Sequence, residues 1–174
     1  MKIVINGGHC PGKDPGAVGR RVTEAVVCRQ VMEQAALLLR DQGHELLTVQ
    51  TNELADIVGA SDGYATDLFV SVHCNAAVNA AAQGSEVYAL SAAGRDLAAC
   101  ICRRLTVEMG TKDRGVRDGS RLYVLRHTAA VAVLAELAFL SNPAEETLLL
   151  EQTEAFAAAV VGGVLDFINR EEEE

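Results

Sequence analysis

A chain of 174 residues that is 49% hydrophobic has enough material for one domain with a substantial core, and too much apolar content to stay disordered. Its formal charge of −9 offers no basic face, which argues against a general nucleic-acid binder and against long-range attraction to an anionic cell surface. No apolar run reaches the roughly 18 residues of a membrane span, so no membrane insertion is expected.

Four of the negative charges form an acidic tail, Glu171 to Glu174, which leaves −5 for residues 1–170. With no Trp, 3 Tyr and 4 Phe, flat aromatic platforms for sugars or bases are scarce, and Leu, Val and Ala must fill the interior. The five cysteines (Cys10, Cys28, Cys74, Cys100 and Cys102) are odd in number and include no CxxC pair, which fits a reducing compartment rather than a disulfide framework. The chain begins with a strand pattern, not with the charged and apolar regions of a signal peptide. The expectation is synthesis in the cytoplasm, or a domain cut from a longer chain.

Lys2–Asn6 reads as the first strand. The loop from Gly7 to Gly19 holds five glycines and two prolines, backbone freedom that suits a site loop at a strand's carboxyl end. Its order is not the GxxxxGK[ST] of a phosphate loop. Thr23 can cap a helix running to about Gln42, with Gly43 beyond its end. That helix has an inward stripe of Glu24, Val27, Cys28, Val31, Ala35 and Leu38. A strand over 45–50 and a weak helix over 53–65, interrupted by Gly59 and Gly63, come next. Asp67–His73 is apolar on both faces and so reads as a strand covered on both sides. After the small-residue loop 76–84, a strand is expected over 85–90. Ser91 can cap a helix to Met109 with stripe Leu97, Ile101 and Leu105. Leu122–Leu125 reads as a short strand, and the run 130–135 as a central one. Pro143 can start a helical turn, and 151–169 reads as a helix with stripe Phe156, Val160, Val164 and Phe167. Strands alternating with helices predict one α/β domain over residues 1–170: a twisted, mostly parallel mixed sheet of about six strands with helices on both faces.

Three apolar runs end in groups with chemistry. The first strand leads to His9, the third closes on His73-Cys74-Asn75, and the run 131–135 closes on Glu136. If these strands lie side by side and parallel, His9, His73 and Glu136 meet at the carboxyl edge where open α/β sheets build their sites. Glu24 begins the helix after the first strand and returns to the same edge. By position alone it reads first as dipole complement at a helix start. Two imidazoles and a carboxylate make a common zinc set with one position open, and a further carboxylate outside the set can move a proton.

Together, Gly8-His9, Glu24, Ser71-Val-His73-Cys-Asn75 and Glu136-Leu-Ala-Phe139-Leu-Ser-Asn142-Pro-Ala-Glu145 resemble the zinc-dependent N-acetylmuramoyl-L-alanine amidases of the amidase-3 type. The likeness covers about residues 2–168. It extends to the loop Lys13-Asp-Pro-Gly-Ala-Val-Gly19 and to the segment from Arg114 to Arg126. The resemblance implies that His9, Glu24 and His73 hold Zn2+, that Glu136 is the catalytic carboxylate, and that the substrate is peptidoglycan, cut between the lactyl group of muramic acid and the first stem residue. Asn75 takes the family's polar position behind the second histidine and is expected to support the site from outside the ligand set.

Some positions depart from the family's pattern. The loop around 52–65 is short and lacks the usual arginine before the third strand. Cys10 and Cys74 adjoin the two ligand histidines, and strand alternation should turn Cys74 away from the metal. His127 stands where the family often has Asn, as a polar loop residue or a substrate contact. His44 is expected at the surface of the opposite edge. Lys112, Arg114, Arg117, Arg121 and Arg126 form a local reversal of charge. They are either a solvated loop or a grip on stem-peptide carboxylates. Two rivals remain at this point: another zinc amidohydrolase or peptidase, and a non-catalytic module that binds wall fragments. Without an export signal, a wall hydrolase would act after release from the cytoplasm or as a domain of a longer exported protein.

Overall fold

Ile3 and Ile5 pack on one side of the first strand and Val4 on the other, and that alternation sets the layers of the whole molecule. The computed structural model describes the backbone of residues 1–173 and the side chains of residues 1–170. In chain order the elements are β1 (Lys2–Gly7), α1 (Glu24–Asp41), β2 (Glu45–Val49), α2 (Leu54–Gly63), β3 (Leu68–Asn75), β4 (Ser85–Ala89), α3 (Ala92–Met109), β5 (Asp113–Asp118), α4 (Tyr123–His127), β6 (Val131–Phe139), α5 (Pro143–Glu151) and α6 (Thr153–Glu173). The six strands form one sheet in the order β2-β1-β3-β6-β4-β5. Every neighbouring pair is parallel except β4 with β6, so the expected mixed, mostly parallel sheet is present.

The two faces are covered unequally. Leu68, Val70, Val72, Val133 and Ala135 join α1, α3 and α6 in the larger core. Phe69, Ala132 and Leu134 face Ile57 of α2 and Val124 and Leu125 of α4. These two helices have 10 and 5 residues. They are too short to cover the whole face, and His73, Tyr88 and Glu136 at its carboxyl end stay partly open. A central strand therefore carries polar groups on that face without burying them outright.

Four local expectations change. Leu122–Leu125 is not a strand. Tyr123–His127 is a short helix closed by Arg126 N–H bonding Leu122 O at 3.2 Å, and its apolar residues cover the sheet instead of joining it. The sixth strand is β5, whose sequence DRGVRD has no apolar period. It is held by pairing with β4 across a register shift, and its charges suit an exposed edge. On α1 the buried position is Leu39, while Leu38 is 37% exposed. The turn expected at Pro143 is a full helix of 9 residues, α5, with Asn142 capping it through bonds from Ala144 N and Glu145 N and Pro143 in its first turn, and the helix expected from 151 begins at Thr153. Ser91 caps α3 as expected, accepting from Gly94 N. Thr23 sits at the N-cap of α1 but makes no side-chain cap bond.

The backbone of α6 continues to Glu173. The side chains of Glu171 to Glu174 lie outside the described residues. Among the described residues no single helix is long and apolar enough to cross a membrane. The α5–α6 pair reaches the length and composition only together, bent by 82°, and the apolar stripe of α6 is buried in the larger core.

Candidate metal centre

The loop after β1 is tied to the end of β3 by a bond from Gly8 N to Val72 O at 2.9 Å. His9 follows with φ of 56°, a left-handed conformation that costs a residue with a side chain on the order of 1–3 kcal/mol and is found where the surroundings enforce it. Here the enforcement is visible. A tight turn returns Asp14 to Cys10 through bonds of 2.9–3.0 Å, and Asp14 Oδ2 lies 2.8 Å from His9 Nδ1. The bond with His9, then that from Gly16 N, holds the Asp14 carboxyl below its usual range. With Nδ1 donating to Asp14, the other ring nitrogen is left with its lone pair, and His9 Nε2 lies 3.3 Å from Glu24 Oε2.

Glu24, the first residue of α1, is only 4% exposed. Its Oε2 accepts from Ala17 N at 2.8 Å. Its Oε1 accepts from Cys74 N at 3.1 Å and lies 2.9 Å from His73 Nδ1. Burial pushes this carboxyl up, but the bond and charge of His73 and the two backbone N–H groups outweigh it and leave it below the ordinary value. It is therefore an ionised, buried carboxylate between two imidazoles. One ligand atom each from His9, Glu24 and His73 lie within 4.8 Å of one another, a spacing and donor set that fit one divalent cation of borderline softness. Gly16, at φ of 64°, presses against this trio: a Cβ there would come within 2.5 Å of the His9 ring and 2.6 Å of Glu24 Oε2. A Cβ at Gly8 would strike the His73 ring.

Glu136 is the partner of His73 in the β3–β6 register. Its Oε2 is shut off from solvent with no hydrogen-bond partner. Burial, then the fields of Glu24 and Glu86, push its carboxyl up to about 8. An unpartnered carboxylate oxygen this close to the trio is a group held ready for something the protein itself does not supply.

Glu86, absent from the sequence-based site, continues the row, because it faces Glu136 in the β4–β6 register. It is 4% exposed and fully engaged. Asn75 Nδ2 (2.8 Å) and Tyr88 Oη (3.0 Å) donate to Oε1, and Arg114 Nε (2.8 Å) and Arg117 Nε (3.2 Å) donate to Oε2. Two of the five residues of the basic segment resolve here: Arg114 and Arg117 lie on β5 and neutralise a buried acid. Asn75 supports Glu86 rather than the trio.

Cys74 turns into the larger core with Cys28. Cys10 stays in the loop, its Sγ 4.0 Å from Pro11 O, outside the trio. All five cysteines are free thiols. His127 is stacked on Tyr123, centroids 4.1 Å apart, with Nδ1 2.9 Å from Tyr123 O. Asp14 and Glu86 were missed by sequence reasoning. The spacing His9–Asp14 inside a glycine-rich loop was the only available signal for the first. Nothing local distinguishes the second.

The chain matches the family model Amidase_3, N-acetylmuramoyl-L-alanine amidase, over residues 3–168. It is 33% identical over 172 residues to the uncharacterized protein YqiI of Bacillus subtilis (strain 168), covering 93% of this chain and 82% of that one. It is 30% identical over 155 residues to the N-acetylmuramoyl-L-alanine amidase LytC of the same organism, covering 84% of this chain and 31% of LytC. Among solved structures, the N-acetylmuramoyl-L-alanine amidase AmiC2 of Nostoc punctiforme superposes with a TM-score of 0.91 at 27% identity, covering 97% of each chain.

Proposed function

The chain belongs to the Amidase_3 family of N-acetylmuramoyl-L-alanine amidases, and from that membership we propose that residues 1–170 form the catalytic domain of a zinc hydrolase. The bond cut is the amide between the lactyl carbonyl of N-acetylmuramic acid and the L-alanine of the peptidoglycan stem peptide. The observation that carries the proposal is the convergence of His9, Glu24 and His73 within 4.8 Å beside Glu136, the register partner of His73.

In this proposal His9, Glu24 and His73 hold the ion. Zinc suits two imidazoles and one carboxylate, and supplies Lewis acidity to a carbonyl and to water. Asp14 fixes the ring nitrogen that His9 presents. Glu136 takes the proton of the attacking water and passes it to the leaving amine nitrogen. Its raised affinity for a proton suits both halves of that shuttle, and a cation held by the trio would oppose the rise. Arg114 and Arg117 balance Glu86, so that Glu136 is not left beside an uncompensated negative charge. The enzyme acts on the cell wall, after release from the cytoplasm or as a domain of a longer exported protein.

Mass spectrometry of a sacculus digest tests the proposal. Soluble stem peptides with a free L-alanine amine should appear, disappear after chelation and return with added zinc. Cleavage of free peptides with sacculi untouched would favour the peptidase rival. Co-sedimentation with no cleavage would favour a binding module.

A further inference from the structure

A groove of about 330 Å³ opens from His9 and His73 toward α2 and α4, near the lower end of the roughly 300–1,000 Å³ of small-ligand sites. Leu54, Ile57, Val124 and Leu134 make it apolar. The one charged side chain lining it, Asp14, is engaged by His9. Among the lining groups is Asn52, whose Oδ1 is buried and has no hydrogen-bond partner. A buried acceptor left unpaired costs free energy until a donor reaches it. The opposite flank of the trio is different: beyond Glu136 and Glu86 it carries the guanidinium groups of Arg114 and Arg117.

The two sides of the scissile amide differ in the same way. The muramoyl side is uncharged and carries an acetamido group, which is one methyl, one carbonyl acceptor and one N–H donor. The stem-peptide side carries carboxylates. Resting on the amidase reading above, we propose that the groove between α2 and α4 is the muramoyl pocket, with the acetamido methyl among Ile57, Val124 and Leu134 and its N–H donated to Asn52 Oδ1. The stem peptide then leaves across β6 and β4 toward the arginine edge. Substrate direction along the sheet edge is set by one orphaned amide oxygen on the uncharged side and by cationic groups on the other. Asn52 is a specificity residue in this arrangement, since the acetamido group it reads lies outside the bond that is cut.

The test compares two soluble substrates of the zinc-loaded enzyme, an N-acetylmuramoyl peptide and the same peptide with the muramic amine deacetylated. Steady-state kinetics are measured for the parent, Asn52→Ala and Leu54→Trp. Leu54 is 48% exposed at the groove, so its replacement fills the groove without opening the core. The parent should show a lower KM for the acetylated peptide. Asn52→Ala should raise that KM about tenfold, the scale of one lost neutral hydrogen bond, so that the two KM values converge with kcat little changed. Leu54→Trp should raise KM for the acetylated peptide with metal content and melting temperature kept. If the parent cleaves neither peptide at the lactyl–alanine bond, the amidase reading itself fails. If it cleaves both with equal KM, or Asn52→Ala lowers kcat for both alike, the amidase reading stands and the pocket assignment is overturned.

Discussion

Replacing Glu86 by Gln removes one negative charge from the row His73–Glu136–Glu86 and leaves its shape. The Glu86 carboxylate accepts four hydrogen bonds, two of them from guanidinium groups. Burial pushes its carboxyl up, but Arg114, Tyr88 and Arg117 outweigh burial and hold it below the usual range. Glutamine keeps one acceptor oxygen and turns an NH₂ toward donors, so the loss is about 3 kcal/mol near pH 7. For a chain of this length that is a fall of about 6–12 °C in melting temperature. The folded pKa is depressed, so this stabilisation is present above the unfolded value of about 4.3 and is lost as pH falls through the folded one. The gap between parent and variant should therefore narrow below about pH 4. A second readout separates this from general damage. Losing the neighbouring charge eases ionisation of Glu136, and the acid limb of the rate profile of the zinc-loaded enzyme should move down by about one pH unit. Thermal melts from pH 3 to 8 and initial rates on a muropeptide measure both. Equal melting temperatures together with an unmoved acid limb would refute the coupled row.

Glu136→Gln should keep the metal, as read by elemental analysis of the purified protein, and lose about 10²–10⁴-fold in turnover, the usual worth of a placed proton shuttle; loss of metal would make Glu136 a ligand. Asp14→Ala frees His9 to change tautomer and should weaken zinc about 10–100-fold in a chelator competition, with the ligand set intact. In metal-free protein the raised Glu136 carboxyl (about 8) makes the folded state bind the extra proton. That stabilisation is full below the unfolded value of about 4.3 and is lost as pH rises toward 8, so the melting temperature should fall over that window. The slope should flatten in Glu136→Gln.

The ends of the buried strands and long helices were legible because burial writes a local period. Val70 and Val72 facing one core and Phe69 the other follow from alternation alone, as does the turn of Cys74 away from His73. The stripes Leu97–Ile101–Leu105 and Phe156–Val160–Val164 follow from the helical repeat. β5 and α4 were not legible. An exposed edge strand held by one neighbour needs no apolar face, and a five-residue helix is too short to show a period. Leu38 and Leu39 could not be told apart by a period of three or four, because the direction of the packed face decides between neighbours.

By itself the sequence determined that His9 follows a strand, that Glu24 starts a helix and that His73 lies near a strand's carboxyl end, since composition and periodicity act over a few residues; the strand expected to close on Glu136 instead runs on to Phe139. The assembly of His9, Glu24 and His73 within 4.8 Å, the register pairing of Glu136 with His73, the lock of Asp14 on His9, the guanidinium balance of Glu86 and the unpaired oxygen of Asn52 were decided only in the folded molecule. Strand order and register bring together groups up to 127 positions apart, from His9 to Glu136. No local propensity encodes which donors a buried carboxylate will meet there.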